Sequence, residues 1–238
     1  MSSTDEINAY INLCKWSVLD NRYTEKKFNS YDENFEKYGL LFKNNSWEFA
    51  IYNKQAQIED TCANLSNYNN LLYEAHNIVR IEFRCKSSKL RTIKKHSTSV
   101  VDFLDEDLAT TLLNDIYNKN IGYQDFYREY YAKKKLAEEF PPTVKEQRQG
   151  IKHGKKYMEY LEFMKDIMNH KGMNNALKSC LSGLPEPECN RERLRFKRRI
   201  KKIQALGMSP VMIPNNWIYG EKSLNLPSEK FTNPLLIE

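Results

Sequence analysis

Two short segments constrain this chain more than any other feature: Trp47-Glu48-Phe49-Ala50-Ile51-Tyr52-Asn53-Lys54 and Ile78-Val79-Arg80-Ile81-Glu82-Phe83-Arg84-Cys85-Lys86. Their aromatic and β-branched content reads as strand. Side chains alternate across a strand, so Tyr52 and Lys54 share one face of the first segment. By the same period, Arg80, Glu82, Arg84 and Lys86 share one face of the second. A strand face with four charges does not fit inside an ordinary apolar core. It faces water, a metal or a polyanion.

Composition narrows the class. The chain has 238 residues, enough for one large domain or two small ones, with 40% hydrophobic and 29% charged residues. That balance favours a globular protein over a disordered one. No run of eighteen apolar residues occurs, and residues 1–20 hold no signal-peptide core, so a cytoplasmic protein without a membrane partner is expected. Five scattered cysteines, with no Cys-x-x-Cys pair, fit reduced thiols better than a disulfide frame or a zinc site. The net charge is +6, and residues 191–202 (RERLRFKRRIKK) concentrate it, with eight bases and one acid. Such density favours nucleic-acid phosphates, although a merely basic protein gives the same net charge.

The pattern predicts an α+β chain: a small antiparallel sheet with flanking helices, then a mostly helical C-terminal domain. An amphipathic helix is expected at 4–19, a strand pair at 38–43 and 47–54 joined at Asn44-Asn45, and a helix at 55–62. A polar loop at 64–70 precedes the Arg-x-Glu strand. Residues 88–95 read as helix or turn, and further helices are expected at 103–119 (capped by Asp102) and 123–139. Pro141-Pro142 marks the boundary between domains at 1–140 and 143–238. Beyond it, helices are expected at 144–169, 172–181 and 189–206, the last ended by Gly207. Val211-Met212-Ile213 and Trp217-Ile218-Tyr219 offer a short ribbon. The last three helices with this ribbon read as a winged helix-turn-helix or as a plain three-helix bundle.

An aromatic strand ending in Tyr52-Asn53-Lys54, a polar loop and an Arg80-x-Glu82-x-Arg84 strand resemble the middle of rolling-circle replication initiators of the filamentous-phage and plasmid type. Asn8 to Leu19 is similar to the helix before the family's first strand. Leu206-Gly207-Met208-Ser209-Pro210 is similar to its apolar Leu-Gly-x-x-Pro stretch. The order and spacing of these pieces carry the resemblance. It implies binding to DNA, single-stranded or as origin duplex, with self-association compatible. It also implies nicking through a tyrosine with Mg²⁺ or Mn²⁺. The chain departs from the wider nicking superfamily in one respect. His76, His96, His153 and His170 stand alone, and no His-hydrophobe-His pair is present. The chain therefore resembles the later two-thirds of an initiator.

Each candidate residue has two readings. Glu82 is a metal ligand flanked by phosphate-binding Arg80 and Arg84, or the centre of a surface ion-pair ladder. Tyr127, with Tyr131 as second choice, is the nucleophile implied by the resemblance. Tyr123, Tyr127 and Tyr130 or Tyr131 share a face if the segment is helical, beside Arg128 and Lys133-Lys134-Lys135. Otherwise these rings simply pack. Tyr52 and Lys54 read as nucleophile and phosphate clamp, or as structural or DNA-contacting residues of the sheet, and the expectation is the latter. Arg195, Arg198, Arg199 and Lys202 are expected to contact DNA from the basic helix. Three functions remain open: a nicking initiator, a non-catalytic DNA-binding regulator of replication, and an unrelated α+β interaction protein.

Overall fold

The computed structural model describes residues 4–19, 39–43, 45–93, 106–122, 125–217 and 223–224. They fall into two compact units. The first draws its described residues from Met1–Cys14 and Asp20–Asn120, the second from Lys15–Leu19 and Ile121–Leu226. The expected class is present: a three-stranded antiparallel sheet with flanking helices, then a largely helical C-terminal region. The units divide near Asn120, well ahead of Pro141-Pro142. Local breakers cannot show this, because residues 125–128 take backbone partners far along the chain. Ser209 N donates to the Asp125 carbonyl and Ile213 N to the Tyr127 carbonyl, each at 2.9 Å.

In the first unit, α1 (Thr4–Ser17), which belongs to it through Cys14, precedes β1 (Gly39–Lys43) and β2 (Trp47–Asn53). Then follow α2 (Lys54–Thr61), α3 (Tyr68–Ala75), β3 (Val79–Cys85), α4 (Ser87–Ile93) and α5 (Glu106–Asn120). The sheet order is β1-β2-β3, with Lys43 opposite Glu48 in the first pair and Tyr52 opposite Arg80 in the second. Alternation along β2 puts Phe49 and Ile51, both fully buried, on one face. That face meets α1 and α5. Asn53 Nδ2 donates to Asn8 Oδ1 at 3.2 Å, the Phe49 and Tyr117 rings meet edge-on at 6.3 Å, and the Tyr10 and Tyr117 hydroxyls lie 2.6 Å apart. Each large apolar side chain buried here contributes about 1.5–3 kcal/mol. Burial pushes the Cys14 thiol up to about 12, so this cysteine stays protonated and inert.

Two local expectations in this unit shift. Lys54 is not on the strand. Asn53 accepts from Ala56 N at 3.2 Å and so acts as the N-cap of α2, making Lys54 the first helical residue. The polar stretch after Asn64 does not remain a loop, because α3 begins at Tyr68. The expected turn residue Asn44 and the cap Asp102 lie outside the described residues.

The second unit contains β4 (Phe126–Tyr127), α6 (Glu129–Glu139), α7 (Val144–Arg148), α8 (Lys155–Asn169), α9 (Met173–Leu181), α10 (Glu186–Gln204) and β5 (Ser223–Leu224). Its core includes Phe163, Met164 and Ile167 of α8, Ala176 and Leu177 of α9, and Phe196, Ile200 and Ile203 of α10. The Phe163 and Phe196 rings meet edge-on at 4.8 Å. The helix expected over 144–169 is split in two. Thr143 and Glu146 form a reciprocal capping box, and Gly150 takes a left-handed φ of 71° that ends the short α7. Glu146 then reaches on to accept from Lys155 N at 2.9 Å, at the start of α8. Met208 to Ile213 is wholly buried. Met208 and Ile213 bridge to Asp125 and Arg128 in parallel, so this stretch is a core strand-like segment rather than an outlying wing. Ile218 and Tyr219 lie outside the described residues. Among the described residues no helix is long and apolar enough to cross a membrane.

Candidate functional site

On the sheet face opposite the core, the expected residues do assemble. Glu82 Oε1 accepts from the Tyr52 hydroxyl at 2.8 Å and is ion-paired with Arg80 Nε at 2.7 Å, while Oε2 accepts from Arg84 Nη2 at 2.5 Å. Despite its own burial, the hydrogen bond from Tyr52 and the two guanidiniums hold the Glu82 carboxyl below the usual range. Burial, then the hydrogen bond to Glu82, pushes the Tyr52 phenol upward. Lys54 lies near enough that burial, then the charge on Arg80, lowers its pKa.

A second carboxylate on the same face was not singled out from sequence. Glu48, opposite Arg84 in the β2–β3 register, lies 3.2 Å from Lys43, 3.6 Å from Lys86 and 3.8 Å from Arg84. The Lys43 and then the Lys86 ammonium hold its carboxyl below the usual range against its burial. The alternation of Glu48 with Tyr52 on β2 was the available signal. Four cations (Lys43, Arg80, Arg84 and Lys86) thus share the face with two carboxylates, Glu48 and Glu82, and Lys54 stands beside it at the start of α2.

The surroundings of Glu82 do not fit a divalent cation. A hard cation takes several oxygen ligands, whereas the donors around this carboxylate are two guanidiniums and a phenol. Among the described residues, no group of three or more His, Cys, Asp or Glu is placed to hold a metal. His76 is bonded to Gln55 at 3.1 Å and His170 to Asp166 at 3.2 Å.

The tyrosine cluster is rearranged relative to the helical reading. Tyr127 sits in β4, and α6 starts only at Glu129 with Arg128 as N-cap. Tyr127 and Tyr131 therefore do not share a helix face. Tyr123 lies outside the described residues. The Tyr127 hydroxyl donates to Asp125 Oδ2 at 3.4 Å and accepts from Lys135 Nζ at 3.2 Å. That ammonium also stands 4.7 Å from the Tyr127 ring centre. Tyr131 is half-buried edge-on to the exposed Tyr130. The neighbouring cations are mostly committed. Lys133 and Lys165 bind Glu129 at 2.7 and 3.2 Å, and Arg128 donates to the Trp217 carbonyl at 2.6 Å.

On α10, the buried residues Cys189, Phe196, Ile200 and Ile203 define the inner side. Arg191, Arg195, Arg198 and Lys202, spaced i, i+4, i+7 and i+11, fall on the opposite side, and all four are exposed. The row spans roughly 16 Å of helix. Arg195 has an ion pair with Glu192 at 3.4 Å. Arg191 and Arg198 have no carboxylate within ion-pair distance among the described residues, and Lys202 lies 6.0 Å from the Phe140 ring centre. Arg191 was missed from sequence, although the same helical spacing points to it. Arg199 differs from its neighbours. Its guanidinium lies over Phe163 at 5.6 Å, with Nε 3.0 Å from Glu159 and Nη1 3.7 Å from Glu192.

An open groove beside α8 and α10 is lined by Met158, Glu159, Glu162, Phe163, Asp166 and Arg199. Its acids oppose an anionic ligand. Cys180, also on its wall, has its thiol raised by burial and then by Asp166, which disfavours the nucleophilic thiolate.

Comparisons with family models, curated proteins and solved structures each find no match. The likeness to replication initiators therefore rests on the residues alone.

Proposed function

We propose that this chain is a DNA-binding replication protein of the rolling-circle initiator kind, engaging phosphates through the outward row of α10 and the charged sheet face. One observation supports this most. Arg191, Arg195, Arg198 and Lys202 line up along the side of α10 opposite its buried residues, with a single exposed ion pair among them. Fold stability does not require such a row, and a phosphate backbone matches it in charge and in length. The contact is made along the flank of the helix. The first turn of α10 carries Glu186 and Glu188, which repel phosphates at the end that a recognition helix inserts into a groove. Flank contacts neutralise phosphates without reading bases, so binding is tolerant of sequence.

The test is titration of labelled duplex DNA at several salt concentrations. Replacing Arg191, Arg195, Arg198 and Lys202 with alanine removes four phosphate contacts. It should flatten the slope of log K against log salt by about three to four units. An unchanged slope removes α10 from the DNA surface and the proposal with it.

A second reading, nicking, is favoured by the Lys135 ammonium held beside the Tyr127 hydroxyl. A cation there stabilises charge that develops as the phenol oxygen, losing its proton, attacks the phosphodiester phosphorus and one sugar oxygen leaves as the hydroxyl of the released strand end. On this reading, single-stranded oligonucleotide with Mg²⁺ or Mn²⁺ yields a covalent adduct that Tyr127→Phe abolishes. An adduct mapped to Tyr131 or Tyr52 relocates the chemistry. Absence of any adduct from the parent protein leaves a non-catalytic regulator.

A further inference from the structure

We infer that Glu82 is a positioning residue that holds Arg80 and Arg84 as a preformed clamp for one phosphate of a nucleic-acid backbone, with no divalent cation involved. This rests on the reading of the sheet face as a DNA surface.

The strand itself builds the clamp. Residues two apart on β3 share a face and lie roughly 7 Å apart, so long arginines on either side can fold back onto a central carboxylate. They do so from both directions, Arg80 through Nε and Arg84 through Nη2. Tyr52 fixes the carboxylate from the neighbouring strand. It pairs with Arg80 in the β2–β3 register, is 3% exposed, and donates its hydroxyl to Oε1. The carboxylate, an acceptor only, is therefore engaged on both oxygens.

What remains available is on the arginines. Each guanidinium carries five N–H donors in a rigid fork. Arg80 meets Glu82 through Nε, so its two terminal amino groups are left to a ligand. Arg84 projects further, with its side chain 66% exposed. Two planar forks held side by side suit the tetrahedral oxygens of a phosphodiester. Ordering a long side chain on binding ordinarily costs conformational entropy. Here Glu82 imposes that order before the ligand arrives. The depressed carboxyl of Glu82 keeps it ionised, so the arrangement persists at neutral pH.

Three accounts of Glu82 give different signs in one experiment. Glu82→Gln removes a negative charge but nearly preserves shape. Its amide nitrogen also donates where an arginine formerly donated. If the face acts only as a diffuse positive field, the variant binds more tightly, with a salt slope steeper by about one unit. If Glu82 is a metal ligand, binding in chelator is unchanged and only a cation-dependent increment is lost. If Glu82 positions the clamp, binding weakens about three- to tenfold in chelator.

The probe is a labelled oligothymidylate of about twenty nucleotides, longer than a typical single-strand site. It is titrated by fluorescence anisotropy against the full chain in EDTA, beside thermal unfolding of each variant. Tyr52→Phe, which removes one hydroxyl that orients the carboxylate, should weaken binding about two- to threefold. It serves as the deciding variant should Glu82→Gln unfold. Arg80→Ala/Arg84→Ala tests the surface itself. No loss of affinity in that double variant overturns the sheet-face reading. A loss there, combined with unchanged or tighter binding by Glu82→Gln, or by Tyr52→Phe where that variant decides, overturns the clamp alone.

Discussion

The sheet face and the outer row of α10 are both rich in arginine, and they use it in opposite ways. On the sheet, Arg80 and Arg84 converge on Glu82, while Lys43 and Lys86 converge on Glu48. Carboxylates partly cancel the charge there and fix its geometry. Along α10, Arg191 and Arg198 project without an acidic partner among the described residues, so the charge is undiminished, although Arg191 Nε donates to the Pro187 carbonyl at 3.4 Å. Secondary structure explains the contrast. A strand places like-facing residues two apart and opposite a register partner, so an acid at the centre of a basic strand meets its neighbours directly. A helix spreads its outward residues over successive turns. The single acid within 191–202, Glu192, reaches only Arg195 and Arg199. The sheet can therefore supply geometry, and the helix supplies the field.

The largest expected effect tests this division. The four-alanine variant of α10 should flatten the salt slope by about three to four units. The Arg80→Ala/Arg84→Ala variant should change it by about two at most, because Glu82 already offsets part of that charge. Both slopes come from the same titration series. A larger change from the sheet variant would invert the comparison and make the sheet the principal electrostatic surface.

The next effect concerns pH and contrasts two carboxylates with different duties. Glu146 is buried and accepts from Lys155 N, Thr143 N and the Thr143 hydroxyl at 2.7–2.9 Å. Those backbone donors, Lys155 first, hold its carboxyl down to about 2. A depressed native pKa gives stability that is complete above the unfolded carboxylate range, near 4.3 for Glu, and lost as pH falls through the native value. Glu146→Gln should therefore lower the denaturant midpoint at pH 7, and the gap from the parent should narrow between about pH 4 and pH 2. Glu82 is also depressed, so phosphate binding by the sheet should stay level from pH 7 to about pH 5. A binding loss in that upper window would show that another group governs the face.

Much of this arrangement was legible in the residues. The charged alternation from Arg80 to Lys86 located a real sheet face, and the basic run at 191–202 located α10. Period and composition are local, and both elements follow local rules. Tyr127 was misread for the complementary reason. Its segment has helical spacing, yet residues 125–128 take backbone partners from 208–213 and from 223–224, and only the tertiary fold reveals that pairing. Lys54 moved off the strand because Asn53 caps a helix there, a competition that one polar side chain decides. Glu82 was correctly placed on its face. The resemblance favoured the metal-ligand reading over the ion-pair ladder, and the two flanking guanidiniums do not fit a metal.

The smallest effect separates two adjacent arginines of α10 that the sequence treats alike. Arg199 lies over the Phe163 ring and bonds Glu159 at 3.0 Å, with its side chain 31% exposed. Arg198 points outward among exposed residues. An exposed cation–π contact contributes about 0.5–1 kcal/mol and a surface ion pair about 0–1 kcal/mol. Arg199→Ala should thus destabilise the second unit by about 1 kcal/mol while changing the salt slope little. Arg198→Ala should leave stability within about 0.5 kcal/mol and flatten the slope by nearly one unit. Equilibrium unfolding and salt titration of the two single variants read both quantities. Equal effects on the slope would place Arg199 on the DNA surface after all, and the inner and outer sides of α10 would then share the phosphate contacts.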